Sequence, residues 1–161
     1  MEKEAQILNI LSGVLDPEVP VLSIQDLGII RKVEMEGKKP IITITPTYSG
    51  CPAMTVIEVE MRAALLMAGI EEFEIKTVLS PPWTTDWISE IGLKKLKDYG
   101  IAPPEKGSKS KRSLFGEEPK VVCPQCGSSH TEMVSRFGST ACKALYKCLD
   151  CKEPFDYFKC I

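Results

Sequence analysis

The sequence lacks several features on which common functions depend. It contains one histidine, His130, which lies far along the chain from the single N-terminal cysteine, Cys51. Hydrolysis by a cysteine and histidine pair therefore has little support. No apolar run approaches the roughly 18 residues that span a bilayer, which argues against a membrane protein. The 20 basic residues do not outnumber the 22 acidic ones, so no global field draws the chain onto nucleic acid.

The composition is typical of a soluble globular protein. The 161 residues are 43% hydrophobic and 26% charged. This is enough for one full domain with a small appendage, but not for two sizeable cores. The start, MEKEAQILNI, carries charges where a secretory signal needs an apolar core. We therefore expect the protein in the cytoplasm.

Hydrophobic spacing predicts two helices and a hairpin in the first half of the chain. Apolar residues recurring at three and four predict a helix from Glu4 to Leu15. Two β-branched arms joined through residues 37–40 predict a β-hairpin. The next helix is predicted to have Pro52 as its first residue and Gly69 at the C′ position just beyond its end.

A third strand and a third helix complete the predicted N-terminal domain. The strand covers FEIKTVLS, and the helix is capped by Asp86 and stops at Gly100. The order αββαβα predicts an α+β fold with helices on a small mixed sheet. A stretch rich in Pro, Gly, Ser and Lys then predicts a linker. The predicted domains are 1–103, the linker 104–120, and a zinc-ribbon module at 121–161.

Four cysteines near the C-terminus predict a metal site. Cys123 and Cys126 form one pair, and Cys148 and Cys151 form another after 21 intervening residues. Two residues between thiolates let a turn present both sulfurs to one ion, a spacing typical of a zinc ribbon. Four thiolates leave no open coordination position, so the expected zinc is structural. Iron in the same ligand set is the alternative.

Two further cysteines are present: Cys142 lies between the predicted ribbon strands TEMVSRF and KALYKC, and Cys160 follows them near the end of the sequence. Small buried hydrophobes are the commonest fate of free cysteines. A transient second metal site or a redox pair is the functional alternative for them. His130 is interpreted as a turn residue, since four cysteines already complete a site.

Cys51 stands where a helix N-terminus would stabilise a thiolate. If Pro52 is the first helical residue, Cys51 is the N-cap, beside unpaired backbone N–H groups and the positive end of the helix dipole. Such positions lower a cysteine pKa from about 8.5. We expect an exposed, anionic sulfur used for metal capture or thiol transfer, with filling of a strand–helix junction as the alternative.

Several polar or aromatic residues lie in loops that could adjoin Cys51. The acidic candidates are Asp16, Glu18 and Asp26, each of which could equally cap a turn or helix. The segment PPWTTDW adds Trp83 as a packing lid, together with Thr84.

Three blocks carry a family resemblance: DPEVPVLSIQDLGII, ITPTYSGCPAMTVI and SPPWTTDWIS. They resemble the domain found in SufT and in the cytosolic iron–sulfur assembly proteins. The tail, from CPQCGS to FDYFKCI, resembles the ribbon of the PaaD (PaaJ) family of phenylacetate degradation. The resemblance carries functional roles to these positions: Asp16, Glu18, Asp26, Cys51, Trp83, Cys123, Cys126, Cys148 and Cys151. Cys142 and Cys160 also lie in matched blocks.

The resemblance implies an accessory protein of the phenylacetyl-CoA epoxidase system rather than an enzyme acting by itself. Expected partners are the oxygenase and reductase subunits and iron–sulfur assembly proteins. Expected cofactors are one structural zinc and a transient iron or iron–sulfur cluster handled by Cys51. The alternatives are a structural subunit of the oxygenase, a general cluster carrier, a thiol enzyme and a nucleic-acid-binding ribbon.

Overall fold

A computed structural model describes residues 1–48, 50–105 and 120–159. The described chain forms two compact units, Met1–Ser89 and Glu90–Ile161. None of the described helices is long and apolar enough to cross a membrane. The elements are α1 (Glu2–Leu11), β1 (Ile30–Glu36), β2 (Lys39–Ile44), α2 (Ala53–Met67), β3 (Glu74–Thr77), a short 3₁₀ helix (Thr85–Trp87), α3 (Glu90–Asp98), β4 (Ile101–Ala102), β5 (Thr131–Ser135), β6 (Lys143–Cys148) and β7 (Pro154–Phe158).

The first unit packs helices on a three-stranded mixed sheet. The strand order is β1-β2-β3, with β1 antiparallel and β3 parallel to β2. Alternation along β2 buries Pro40, Ile42 and Ile44. The buried face of α2 carries Ala53, Met54, Ile57, Met61 and Leu65. The α+β prediction, with its hairpin and a small mixed sheet, is therefore confirmed. The β2–α2 connection places Cys51 at the start of the helix.

Two predicted helix boundaries are wrong. The first helix ends at Leu11, because the chain turns at Ser12 and Leu15 instead forms an isolated bridge with Ser23. Asp86 does not cap the third helix. It lies inside the 3₁₀ helix, whose cap is the Thr84 side chain, and the extended backbone at Ile88 interrupts the helical run before α3 begins.

The second unit is built on a four-stranded sheet of order β4-β7-β6-β5. The predicted ribbon strands are confirmed as β5 and β6, which pair antiparallel. Neither β7 nor the short β4, which pairs with it in parallel, was expected. Helix α3 also belongs to this unit. The predicted domain boundaries stay a prediction, since most of 104–120 lies outside the described residues. The core of the sheet contains Ala102, Val121, Cys123, Ala144, Tyr146, Cys148, Phe155 and Tyr157.

Candidate metal centre and the Cys51 loop

The four ribbon cysteines converge on one point. The sulfurs of Cys123 and Cys151 are 3.7 Å apart, and those of Cys126 and Cys148 are 3.6 Å apart. All four Sγ atoms lie within 4.8 Å of one another. A tetrahedral ion with metal–sulfur bonds of about 2.3 Å requires sulfur–sulfur separations near 3.8 Å, so the residues fit a tetrathiolate metal centre. The predicted ligands are thus brought together, and the geometry suits zinc or iron.

Each pair of cysteines lies in a backbone turn that we call a knuckle. Cys123 and Cys126 belong to the first knuckle, and Cys148 and Cys151 to the second. In the first, Cys123 N donates to Ser128 O at 2.8 Å and Gly127 N donates to Cys123 O at 2.9 Å. Gly127 adopts φ +77°, the left-handed conformation expected at this position. In the second knuckle, Lys152 takes φ +66° without being glycine. The cysteine spacing in the sequence predicts this turn, but it does not predict a non-glycine residue with a left-handed backbone.

The four thiols lie so close together that, without metal, their pKa values differ. Backbone N–H groups of Cys151 and Asp150 stabilise the Cys148 thiolate and, against burial, lower its pKa to about 7. The Glu153 N–H also favours the Cys151 thiolate. However, burial and hydrogen bonds with the three other sulfurs outweigh it and raise the Cys151 pKa to about 12. A cation bound at the centre would remove this conflict, because it stabilises all four thiolates together.

The other ribbon candidates stand apart from this centre. His130 is exposed, and its Nδ1 lies 3.3 Å from Asp150 rather than among the sulfurs. Cys142 is buried, and its sulfur lies 3.1 Å from the Thr140 hydroxyl. Cys142 is not among the clustered ligands, and Cys160 lies outside the described residues. Their functional roles stay predictions.

Cys51 lies at the beginning of α2 but is not exposed. Its N–H donates to Tyr48 O at 3.3 Å, and its carbonyl accepts from Met54 N at 3.2 Å. The helix starts at Ala53, with Pro52 rather than Cys51 as the N-cap. Only 8% of Cys51 is accessible, so the expectation of an exposed sulfur is wrong. Cys51 is therefore buried in the turn that leads into α2.

The two candidate aspartates stabilise turns. Asp16 Oδ1 accepts the N–H groups of Glu18 and Val19, both at 2.8 Å. Asp26 Oδ2 accepts the Ser23 N–H at 3.0 Å, and the Ser23 hydroxyl accepts the Asp26 N–H at 3.0 Å. Both aspartates are buried. These contacts match the capping alternative, while a role beside Cys51 stays a prediction for Asp16, Glu18 and Asp26.

Trp83 joins its loop to the turn that follows Asp26, and Thr84 caps the 3₁₀ helix within that loop. Trp83 is 2% exposed, and its Nε1 donates to Leu27 O at 2.7 Å. The Thr84 hydroxyl accepts the Asp86 N–H at 3.2 Å. The interpretation of Trp83 as a packing residue agrees with this burial. Direct contact of either residue with Cys51 stays a prediction.

Sequence reasoning missed a buried hydroxyl in the loop before Cys51. Thr45 follows β2 directly and is 1% exposed, and its Oγ1 has no hydrogen-bond partner within the described part of the chain. Leaving such a group unpaired costs about 1–3 kcal/mol. The signal in the sequence is weak, because a threonine after a strand is common. Thr45 is therefore an additional polar candidate in the segment that leads to Cys51.

Known proteins resemble both parts of the chain. Residues 4–78 match the family model described as "Iron-sulfur cluster assembly protein", and residues 107–159 match "PaaD zinc beta ribbon domain". A protein of Escherichia coli (strain K12), named as one of the subunits of "Putative 1,2-phenylacetyl-CoA epoxidase", is 47% identical over 156 residues. That alignment covers 97% of this chain and 92% of the relative.

Other known proteins match only part of the chain. "Fe-S protein maturation auxiliary factor YitW" of Bacillus subtilis (strain 168) is 38% identical over 85 residues, which is 52% of this chain and 82% of that protein. The crystal structure of the Domain of Unknown Function DUF59 from Bacillus anthracis is 29% identical with a TM-score of 0.53. It covers 58% of this chain and 90% of its own. The chain belongs to the PaaD family and joins an iron–sulfur cluster assembly domain to a PaaD zinc beta ribbon.

Proposed function

We propose that this protein is an accessory factor that helps to assemble an iron or iron–sulfur centre of the phenylacetyl-CoA epoxidase system. The observation that carries the proposal is the 47% identity, over 97% of the chain, to a relative named as a component of that epoxidase. The match of residues 4–78 to an iron–sulfur cluster assembly family supports the assembly role. The factor acts in the cytoplasm and performs no turnover by itself.

In this proposal the ribbon holds one zinc ion permanently. The four converging sulfurs would hold it as a complete set of four ligands, so the ion would offer no position to a substrate. Zinc would contribute its binding free energy to the folding of a small module. The ribbon would then act as a rigid docking element for partner proteins. Iron in the same site is the alternative that metal analysis tests.

Cys51 is the proposed handling site for the transient metal. Its sulfur belongs to the residue just before the N-cap of α2, at the end of the helix where the dipole favours negative charge. Binding of iron would displace the thiol proton, and release of iron to a recipient would return it. With 8% of the residue exposed, the sulfur is shielded from bulk solvent and is reached when a partner docks or the loop opens.

The recipients in this proposal are the oxygenase and its reductase. The test is reconstitution of metal-depleted oxygenase and reductase with ferrous iron, a sulfide source and the purified factor. We expect Cys51→Ser to lower activation by about tenfold or more, because a hydroxyl is a far weaker iron ligand than a thiolate. Cys142→Ser is the matched control, since Cys142 is also buried but lies outside the four-sulfur cluster. Full activation by Cys51→Ser would remove Cys51 from the mechanism.

A second candidate is a structural component of the epoxidase, which the relative's name favours because it describes a subunit. A structural component would remain in the purified complex at fixed stoichiometry. Replacement of Cys51 would then change neither that stoichiometry nor the metal content of the oxygenase. Dissociation of the factor after activation would support the assembly role instead.

A further inference from the structure

The two ribbon knuckles are joined by side chains as well as by their sulfurs. The Asp150 carboxylate accepts a hydrogen bond from the Ser128 hydroxyl through Oδ2 and faces His130 Nδ1 across 3.3 Å through Oδ1. The Ser128 hydroxyl in turn accepts the His130 N–H at 3.0 Å. Ser128 and His130 follow the first knuckle, and Asp150 lies within the second. We call these three residues the clasp.

The clasp is tied to the metal ligands through the backbone. The Ser128 N–H donates to the Cys126 sulfur, and the Asp150 N–H donates to the Cys148 sulfur. Each of these clasp residues therefore orients one sulfur of its own knuckle. The Leu149 N–H also donates to His130 O at 2.9 Å, which continues the pairing of β5 with β6 up to the clasp.

The clasp affects metal binding by positioning the ligands more than by attracting the ion with its charge. The side chains of His130 and Asp150 are 69% and 58% exposed, so solvent and salt screen their electrostatic effect on the ion. Hydrogen bonds outside the ligand shell nevertheless fix the direction of the ligands. Their removal typically costs roughly 10–100-fold in metal affinity.

We propose that Asp150 is a positioning residue that holds the two knuckles together and sets the rate at which the ribbon releases its metal. Release requires one knuckle to move away from the other, and this motion breaks the contact between Asp150 and Ser128. Because the clasp opposes that motion, the ribbon retains its ion. The proposal concerns the ribbon alone and does not depend on the role of Cys51.

The test measures zinc release from the full-length protein loaded with zinc alone. The loaded protein is mixed with excess 4-(2-pyridylazo)resorcinol at neutral pH, and the first-order rate is recorded. We expect release to be about tenfold faster for Asp150→Ala and for Ser128→Ala. The double variant should be no faster than either single variant, since both remove the same contact. Asp150→Asn keeps an acceptor for the Ser128 hydroxyl, so its rate should stay close to that of the wild type.

Glu153→Gln is the matched control, because it removes one negative charge next to the same knuckle without touching the clasp. Its release rate should equal that of the wild type. A wild-type rate for Asp150→Ala would overturn the proposal, and so would equally fast release from Asp150→Asn or Glu153→Gln, which would indicate a charge effect. A general loss of fold is recognised by a lower thermal midpoint of the zinc-saturated protein. If Asp150→Ala does not fold, Ser128→Ala decides, since it deletes a single hydroxyl.

Discussion

Individual polar residues of the first unit mainly fix turns. Asp16 and Asp26 each accept backbone N–H groups within three residues, and Trp83 donates to Leu27 O. The sequence alone left capping and metal chemistry open for the aspartates, because both uses select short acidic side chains in loops. The hydrogen bonds show the capping use directly. The burial of Cys51 could not be predicted either, since it depends on how a loop folds back rather than on local spacing.

Gly28 offers a direct test of how tightly the Trp83 loop is held. Gly28 has φ +70°, and a Cβ added there would lie 2.6 Å from Trp87 O, a backbone atom that cannot move away easily. We expect Gly28→Ala to lower the free energy of unfolding by about 3 kcal/mol, as left-handed strain and a steric clash add together. Urea denaturation of the metal-saturated protein measures this change.

Gly37→Ala is the control for Gly28→Ala. Gly37 also has a left-handed backbone, with φ +64°, but nothing lies within 4 Å of an added Cβ. This variant should lose only the conformational part, about 1 kcal/mol. Equal losses at the two glycines would mean that the loop containing Trp83 and Trp87 moves away from the added Cβ without cost and is not held tightly.

At the level of elements, most of those with local signals could be predicted from the sequence, and those that depend on distant residues could not. The hairpin, α2, β5 and β6 were predictable because their signals are local: periodicity, turn residues and cysteine spacing. The short β4 was not, because it exists only by pairing with a strand more than fifty residues away. β7 was missed as well, although its antiparallel pairing with β6 is local. The start of the third helix was missed for a reason similar to that for β4. The segment from Trp83 to Ser89 is fastened to the Asp26–Gly28 turn, and Ser89 N donates to Asp26 O at 2.8 Å.

The ribbon knuckles should lose affinity for their metal as the pH falls. Without metal, the pKa of Cys151 is raised to about 12 and that of Cys126 is also raised, so these thiols carry protons at neutral pH. Cys148, with a pKa of about 7, gains its proton just below neutrality. Protons bind the metal-free form, and lowering the pH therefore favours it.

Zinc competition with a chelator of known pH dependence should show at least about a tenfold loss of affinity per pH unit between about pH 8 and about pH 6. Calorimetry in buffers of different ionisation enthalpy should register proton release when zinc binds. An affinity that does not change with pH, together with no released proton, would exclude binding by these thiols.

The whole molecule combines two units with different sources of stability. The first unit buries a core of ordinary aliphatic side chains, including Leu11, Ile42 and Leu65. The described part of the second unit buries fewer aliphatic side chains, and two of its fully buried residues are the cysteine ligands Cys123 and Cys148. A module of this size usually needs a metal or another cross-link to fold. This argues for one permanent ion in the ribbon, and our proposal adds a second, labile metal that Cys51 handles.

Metal analysis after anaerobic purification tests this assignment most directly. The wild type, Cys51→Ser and Cys126→Ser are analysed for zinc and iron before and after washing with a chelator. We expect about one zinc per chain to survive washing in the wild type and in Cys51→Ser, and to be lost in Cys126→Ser. Iron should be present before washing only where Cys51 is intact. Iron that stays in Cys51→Ser, or that resists washing and disappears with Cys126→Ser, would contradict the assignment by placing iron in the ribbon.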